Sequence, residues 1–210
     1  MAKLLELTER GLFCAQAGIY IDPWRPVEKA VITHAHGDHA RWGSAAYLCA
    51  RRGKDILQIR LAESAPIQSL EFGESLFNNE VRLSLHPAGH ILGSAQVRLE
   101  YGGEVAVVSG DYKVEPDITC DAFEPIRCNL FVSESTFGLP HYRRRPQFQI
   151  FEEVHEWWRE NIAEGRTSII LGYSLGKAQR ILAGLDPSLG PIAAHGSILR
   201  LNAAYVENGV

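Results

Sequence analysis

Val27-Glu28-Lys29-Ala30-Val31-Ile32-Thr33-His34-Ala35-His36-Gly37-Asp38-His39 decides how the chain is read. Its first seven residues suit a buried strand, and they run straight into a polar loop. That loop carries three imidazoles and a carboxylate within six residues. Imidazole nitrogen and carboxylate oxygen are the ligands a borderline cation such as zinc prefers. On an irregular loop, side chains two apart can converge on one ion. The adjacent Asp38 and His39 can then turn toward a second. Two ions sharing one water would lower its pKa and clamp both oxygens of an in-line displacement. The bland reading is a solvated histidine-rich loop, but chance clusters of this order are rare directly after a buried strand.

Around this stretch the first two-thirds of the chain reads as short strands joined by tight turns. Strands are expected at 81–85 and 130–132, and at 95–101 and 104–108 around Gly102-Gly103, a strong hairpin signal. Asn78-Asn79 is a weaker turn, and a helix is expected between Lys54 and Glu63. Beyond Pro146 the texture changes. Phe148, Phe151, Val154, Trp158 and Ile162 recur at helical spacing, with Gly165 as a stop signal. A strand over 168–171, a helix over 177–185, a strand over 191–194 and a helix over 198–206 follow in expectation. That alternation is the signature of α/β units around a parallel sheet. The chain therefore divides into an antiparallel-looking part, 1–145, and the beginning of a second domain, 146–210.

At 210 residues, with 46% hydrophobic and 22% charged residues, the chain can bury a core without disulfides or metals. Disorder, collagen, coiled coil and repeat arrays are excluded. The net charge of −4 gives no nucleic-acid footprint for the whole chain, which leaves room for a local patch. No apolar stretch approaches a membrane span, and the N-terminus meets charge at Lys3, unlike a signal peptide. Cys14, Cys49, Cys120 and Cys128 are dispersed and read as small hydrophobes, with the cytoplasm as the expected compartment.

His34, His36, Asp38 and His39 resemble the H-x-H-x-D-H signature of the metallo-β-lactamase superfamily. His90, in Pro87-Ala88-Gly89-His90-Ile91-Leu92-Gly93-Ser94, resembles its third ligand motif. Asp111, in Ser109-Gly110-Asp111-Tyr112, resembles its bridging carboxylate, and Asp22 the early aspartate that supports the metal loop. Read alone, His90 is a structural histidine and Asp111 a turn cap beside Gly110. Ser133-Glu134-Ser135-Thr136-Phe137-Gly138 resembles the acidic motif that opens the β-CASP nucleases, the branch that cuts DNA and RNA. Leu175 to Arg180 resembles the turn that starts their inserted domain. The wording THAHGDHAR, HPAGHILGSAQ, SGDYK and YSLGKAQRIL looks most like the bacterial ligase-associated DNA exonucleases, relatives of the mRNA 3′-end processing nucleases.

The resemblance implies an α/β fold: a metallo-β-lactamase αβ/βα sandwich with the beginning of an inserted β-CASP α/β domain. It implies two zinc ions, with manganese as the alternative metal. His34, His36 and His90 would hold one ion, Asp38 and His39 the other, and Asp111 would lie between them. A bridging hydroxide would attack phosphorus, leaving a 5′-phosphate and a 3′-hydroxyl. Asp38, Asp111 and Glu134 would carry the catalytic roles, Glu134 by supporting a later histidine. Without the resemblance, Glu134 is a capping or surface residue. The implied activity is a zinc-dependent nucleic-acid phosphodiesterase, first of all a DNA exonuclease in repair, and second an RNA-processing nuclease. The implied partners are single-stranded or end-exposed DNA, or RNA, with a DNA ligase or helicase as associated protein and no membrane. Arg143, Arg144, Arg145 and Lys177 are the candidate nucleic-acid contacts; a solvated face and helix capping are their plainer readings. Trp24, Trp42, Trp157 and Trp158 offer stacking surfaces, although packing is their commoner use.

The family pattern continues with two histidines beyond Val210, so the chain is expected to be an N-terminal fragment. His141 and His155 read as surface or packing residues. His195 ends an apparent strand, where simpler superfamily hydrolases place their last ligand. If it closes the site, the chain is a small-molecule ester or thioester hydrolase. A catalytically inactive nucleic-acid-binding fragment is the remaining alternative.

Overall fold

The computed structural model describes residues 4–143 and 145–210. Two sheets face each other. The first has six strands in sequence order: β1 (Glu6–Thr8), β2 (Gly11–Cys14), β3 (Ile19–Ile21), β4 (Lys29–Val31), β5 (Ala46–Ala50) and β6 (Ile67–Leu70). The second has five, in the order β11 (Leu130–Val132), β10 (Glu104–Val108), β9 (Ala95–Tyr101), β8 (Val81–Pro87) and β7 (Ser75–Asn78). The expected hairpin forms between β9 and β10, with Glu104 opposite Tyr101. Gly102 and Gly103 both have positive φ, 59° and 83°, as a tight two-residue hairpin turn demands.

Alternation along these strands builds the core. Leu83 and Leu85 of β8, Val97 and Leu99 of β9 and Ala106 of β10 turn inward to meet Cys14, Ile19, Ile21 and Val31 from the first sheet. Residues of opposite phase in the first sheet, Ala30, Tyr47 and Cys49, turn outward into a second core. There they pack on Ile56 and Leu57 of α1 (Lys54–Leu61), and on Leu201, Ala204 and Tyr205 of α4 (Gly196–Glu207). Between these helices in sequence come α2 (Gln147–Ala163) and α3 (Lys177–Gly184). The mixed two-sheet architecture is of the metallo-β-lactamase type.

Pairing in the first part is chiefly antiparallel, as expected, through β1–β2–β3 and β7–β8–β9–β10. It also holds a parallel run that the sequence pattern does not announce: β3, β4, β5 and β6 pair in parallel, as do β10 and β11. The metal loop and α1 act as crossovers, and returning to the sheet's same end makes the next strand parallel. Contrary to expectation, segments 168–171 and 191–194 form no strand. Their composition is right, but among the described residues no neighbouring edge completes a ladder. Helices α1, α2, α3 and α4 lie where their periodicity places them, within two residues at each end. No described helix is long and apolar enough to cross a membrane.

Candidate metal centre

The site is assembled from three loops that leave strand ends. The first follows β4 and carries residues 32–40. Asp22, just past β3, holds it. Its Oδ1 accepts the Thr33 backbone N–H at 2.8 Å, and its Oδ2 accepts the Thr33 hydroxyl at 2.6 Å and His39 Nδ1 at 2.7 Å. Asp22 has φ of 43°, a left-handed conformation that a non-glycine residue adopts at a cost; here three hydrogen bonds compensate. The Thr33 oxygen in turn lies 3.1 Å from His34 Nδ1. One carboxylate thus directs the ring nitrogens of two histidines, leaving each Nε2 to face the centre.

The second loop carries His90 between β8 and β9. Ser94 Oγ accepts the backbone N–H groups of His90 and Ile91, at 3.0 and 3.2 Å, which closes the turn. The third follows β10 and presents Asp111. Gly110 has φ of 58°, and a Cβ there would lie 2.6 Å from Thr33 Oγ1. Only glycine lets this loop press on the histidine loop. The Lys113 N–H donates to the Ala88 carbonyl at 3.0 Å, stitching the second and third loops together.

The ligand atoms meet in two groups. His34 Nε2 lies 3.0 Å from His36 Nδ1, which lies 3.3 Å from His90 Nε2. Asp111 Oδ2 is 3.7 Å from both His34 Nε2 and His90 Nε2. Four donors within 4.8 Å of one another match a tetrahedral cage, since metal–nitrogen bonds of about 2.0–2.1 Å give an edge of about 3.3 Å. The other Asp111 oxygen, Oδ1, faces a second group. It lies 3.3 Å from His39 Nε2, which is 3.7 Å from Asp38 Oδ2. Three protein donors there leave coordination positions open, the usual mark of a catalytic rather than a structural site.

Electrostatics separates the two groups. Burial pushes His34 well below the ordinary imidazole value, and burial with the charge of His36 takes His90 down to about 4. Both are neutral at pH 7, the form that binds metal. His39 is opposed by burial, but hydrogen bonds and charge from Asp111 and Asp22 raise it to about 10. The His39 hydrogen bond holds the Asp111 carboxyl below the usual carboxylate range.

A further layer comes from α3 and the turn before it. The Leu175 carbonyl lies 3.3 Å from His36 Nε2 and fixes that ring with Nδ1 toward the cage. Arg180 Nη2 donates to the His90 carbonyl at 3.3 Å and forms an ion pair with Asp117, whose side chain is fully buried. Asp117 also takes Lys113 Nζ at 2.5 Å, so one carboxylate ties α3 to the loop of Asp111. Thr33, Ser94, Asp117, Arg180 and the Leu175 carbonyl were not singled out as supports by sequence reasoning. Backbone carbonyls carry no side-chain signature; Thr33, Ser94, Leu175 and Arg180 stand inside the quoted motifs, but nothing in those motifs marks a supporting role, and Asp117 stands outside them.

The remaining described candidates make other contacts. Glu134 accepts the Thr136 N–H at 2.6 Å, a local turn contact. Arg143 is exposed, and Arg144 lies outside the described residues. Arg145 forms a two-pronged ion pair with Glu153 on α2. Lys177 Nζ lies 5.7 Å from the Tyr173 ring centre. His155 accepts the Asp186 N–H at 3.0 Å. His195 caps α4, its Nδ1 accepting the Ser197 N–H at 3.2 Å, so the structure gives it a capping use rather than a ligand's.

Three loops on a two-sheet sandwich, with a histidine cage sharing one carboxylate, define a metallo-β-lactamase-type metal centre. No family model matches the chain. It is 31% identical over 202 residues to a probable DNA ligase of Opitutus terrae, covering 95% of this chain and 20% of that protein. It is 29% identical over 189 residues to ribonuclease TTHA0252 of Thermus thermophilus (77% of this chain, 43% of that one). It is 26% identical over 122 residues to endoribonuclease YSH1 of Saccharomyces cerevisiae (57% and 15%). A crystal structure of an Enterococcus faecalis protein of unknown function superposes with a TM-score of 0.51 at 13% identity, over 74% of this chain and 43% of that one. The chain belongs to the metallo-β-lactamase superfamily, in its β-CASP nuclease branch. It spans less than half the length of each of these curated relatives.

Proposed function

We propose that the protein is a two-metal nucleic-acid phosphodiesterase, a DNA exonuclease of repair that works with zinc. The observation that carries this reading is the division of Asp111, one oxygen toward His34 and His90 and the other toward His39. A carboxylate shared in this way suits two ions a few ångströms apart, the spacing used in phosphoryl displacement. When bound, the ions supply Lewis acidity and an activated water at neutral pH.

The chain's own residues do the rest. His34, His36, His90 and Asp111 form the closed cage, while His39, Asp38 and Asp111 form the open one. Asp22 orients His39 and, through Thr33, His34. The Asp38 side chain is 74% exposed and stands where solvent and substrate enter. Zinc is favoured over harder cations by the imidazole-rich set, with manganese next. DNA is favoured over RNA by the extent of the match to the ligase relative, which covers nearly the whole chain. A DNA ligase is accordingly the partner we propose. Residues 1–145 are read as the hydrolase domain and 146–210 as the opening of the β-CASP domain. The four unpaired cysteines suit the cytoplasm.

The test is cleavage of end-labelled single-stranded DNA and RNA with zinc or manganese, by the parent and by His36→Ala. We expect DNA shortening from an end, lost by more than about 100-fold in the variant, since removing even a supporting residue of a metal site costs up to that much. Equal cleavage by the variant would contradict the site, and faster cleavage of RNA would move the substrate assignment.

A further inference from the structure

Two tryptophans stand uncovered beside the metal loop. Trp24 is 53% exposed and Trp42 is 71% exposed. Trp24 comes two residues after Asp22, and Trp42 three after His39, so each rides on a loop that orients the centre. The two loops touch: Pro26 Cγ lies 3.0 Å from the position a Cβ would take on Gly43. The Ala45 N–H donates to the Val27 carbonyl at 2.9 Å, and the Val27 N–H to Ser44 Oγ at 3.2 Å. The buried Tyr47 hydroxyl donates to the Arg41 carbonyl at 2.9 Å and accepts the Ser44 N–H at 2.8 Å. The rim is therefore a fixed surface rather than a loose tip.

Arg25 and Arg41 are the neighbours in sequence of the two indoles, and both are exposed. Arg10 adjoins them, its carbonyl accepting the Trp24 N–H at 2.8 Å. Among the described residues, none of the side chains of Trp24, Arg25, Arg41 and Trp42 has a hydrogen bond, ion pair or ring partner. Other candidates are engaged elsewhere. Arg145 is held by Glu153, and Trp157 and Trp158 line an apolar groove with Val154. Exposed indoles with unpaired guanidiniums beside them match what a single strand needs: faces for bases and cations for phosphates.

We infer that Trp24, Arg25, Arg41 and Trp42 form a stacking rim for single-stranded nucleic acid next to the metal centre. The inference rests on the phosphodiesterase reading, because a strand with one phosphate at the ions must run on across a neighbouring surface. Bases flanking that phosphate stack on the indoles, and the guanidiniums take phosphates along the way.

The test is binding of a labelled oligothymidine strand to the whole chain in chelator, which separates binding from cleavage. Trp24→Ala and Trp42→Ala should each weaken binding by about 5- to 140-fold, the range for loss of one stacked base. Phenylalanine at either position should recover most of that loss, because stacking needs a ring and not the indole N–H. Arg25→Ala with Arg41→Ala should flatten the salt dependence. Strand binding should quench indole emission in the parent, and less so in Trp24→Phe/Trp42→Phe, a readout that survives if an alanine variant misfolds. Alanine variants that bind within twofold of the parent would overturn the rim and leave the phosphodiesterase reading intact. So would variants that change only self-association, the mark of a protein interface. A parent that binds no single strand and cleaves none would overturn both.

Discussion

Val97 and Leu99 of β9 are completely buried, whereas Ile169 and Leu171, in a segment of equally strand-like composition, are 74% and 89% exposed. The first pair lies in a strand with hydrogen-bonded neighbours on both sides and a facing sheet to pack on. The second follows α2 with no ladder on either edge among the described residues. It borders an apolar groove of about 610 Å³ that also takes in Trp158 and Ile192. Strand propensity describes fitness for a pleated, half-buried surface and does not by itself create one. The facing sheets bury their inner faces against each other; the region after Pro146 packs back onto the first sheet through Leu175, in the turn before α3, and through Leu201 and Tyr205 of α4.

The sharpest way to break that contrast is at the point joining the two regions. Asp117→Asn removes the charge that faces both Arg180 of α3 and Lys113 beside the metal loop. Breaking a buried pair in this way should cost about 3–5 kcal/mol in urea unfolding at pH 7. The pH dependence has a definite sign. Burial opposes ionisation of Asp117, but Lys113, Thr119 and Arg180 hold its carboxyl below the usual range. Its stabilising contribution is therefore present above the unfolded pKa of about 4 and disappears as pH falls through the folded value. The gap between parent and variant should close below that pH. A gap that persists unchanged in acid would mean that packing, not charge, joins the two regions.

Leu99→Ala should cost about 2–5 kcal/mol by the same measurement, since the cavity it leaves cannot fill with water. Leu171→Ala should stay within about 0.5 kcal/mol, as for other surface changes. Similar losses at both sites would show that the later segment has a packed partner after all. Hydrogen exchange sharpens the same point with no mutation. Amides of β8, β9 and β10 should be protected to near the global unfolding limit, and those of 168–171 should exchange quickly.

The distribution of legible and illegible features follows the same physics. The metal residues could be read because four ligands crowd into 34–39 and because His90 and Asp111 sit in compact motifs. The β9–β10 hairpin was legible from two glycines between alternating runs, and α2 from its spacing. The strands β1, β2 and β3 were not, because each has only three or four residues, too few for a period to show. Parallel pairing of β3 to β6 was hidden because register between distant strands is a tertiary property. The supports of the centre were the least legible. Asp117 and Arg180 are far apart in sequence and meet only in the fold. Likewise the Leu175 carbonyl reaches His36 across 139 residues. His195 misleads for a related reason: a histidine after a strand-like run looks like a ligand, yet this one caps a helix.

The shared-carboxylate centre is tested most directly by calorimetric titration of the chelator-stripped chain with zinc, beside His36→Ala and His39→Ala. The account predicts two binding events in the parent, a tight one at the four-donor cage and a weaker one at the open group. His36→Ala should lose the tight event, and His39→Ala only the weaker one. The weaker event should release about one proton at pH 7.5, since His39 is charged until about 10. A His36→Ala chain that still takes up its first zinc with the parent's affinity would contradict the account.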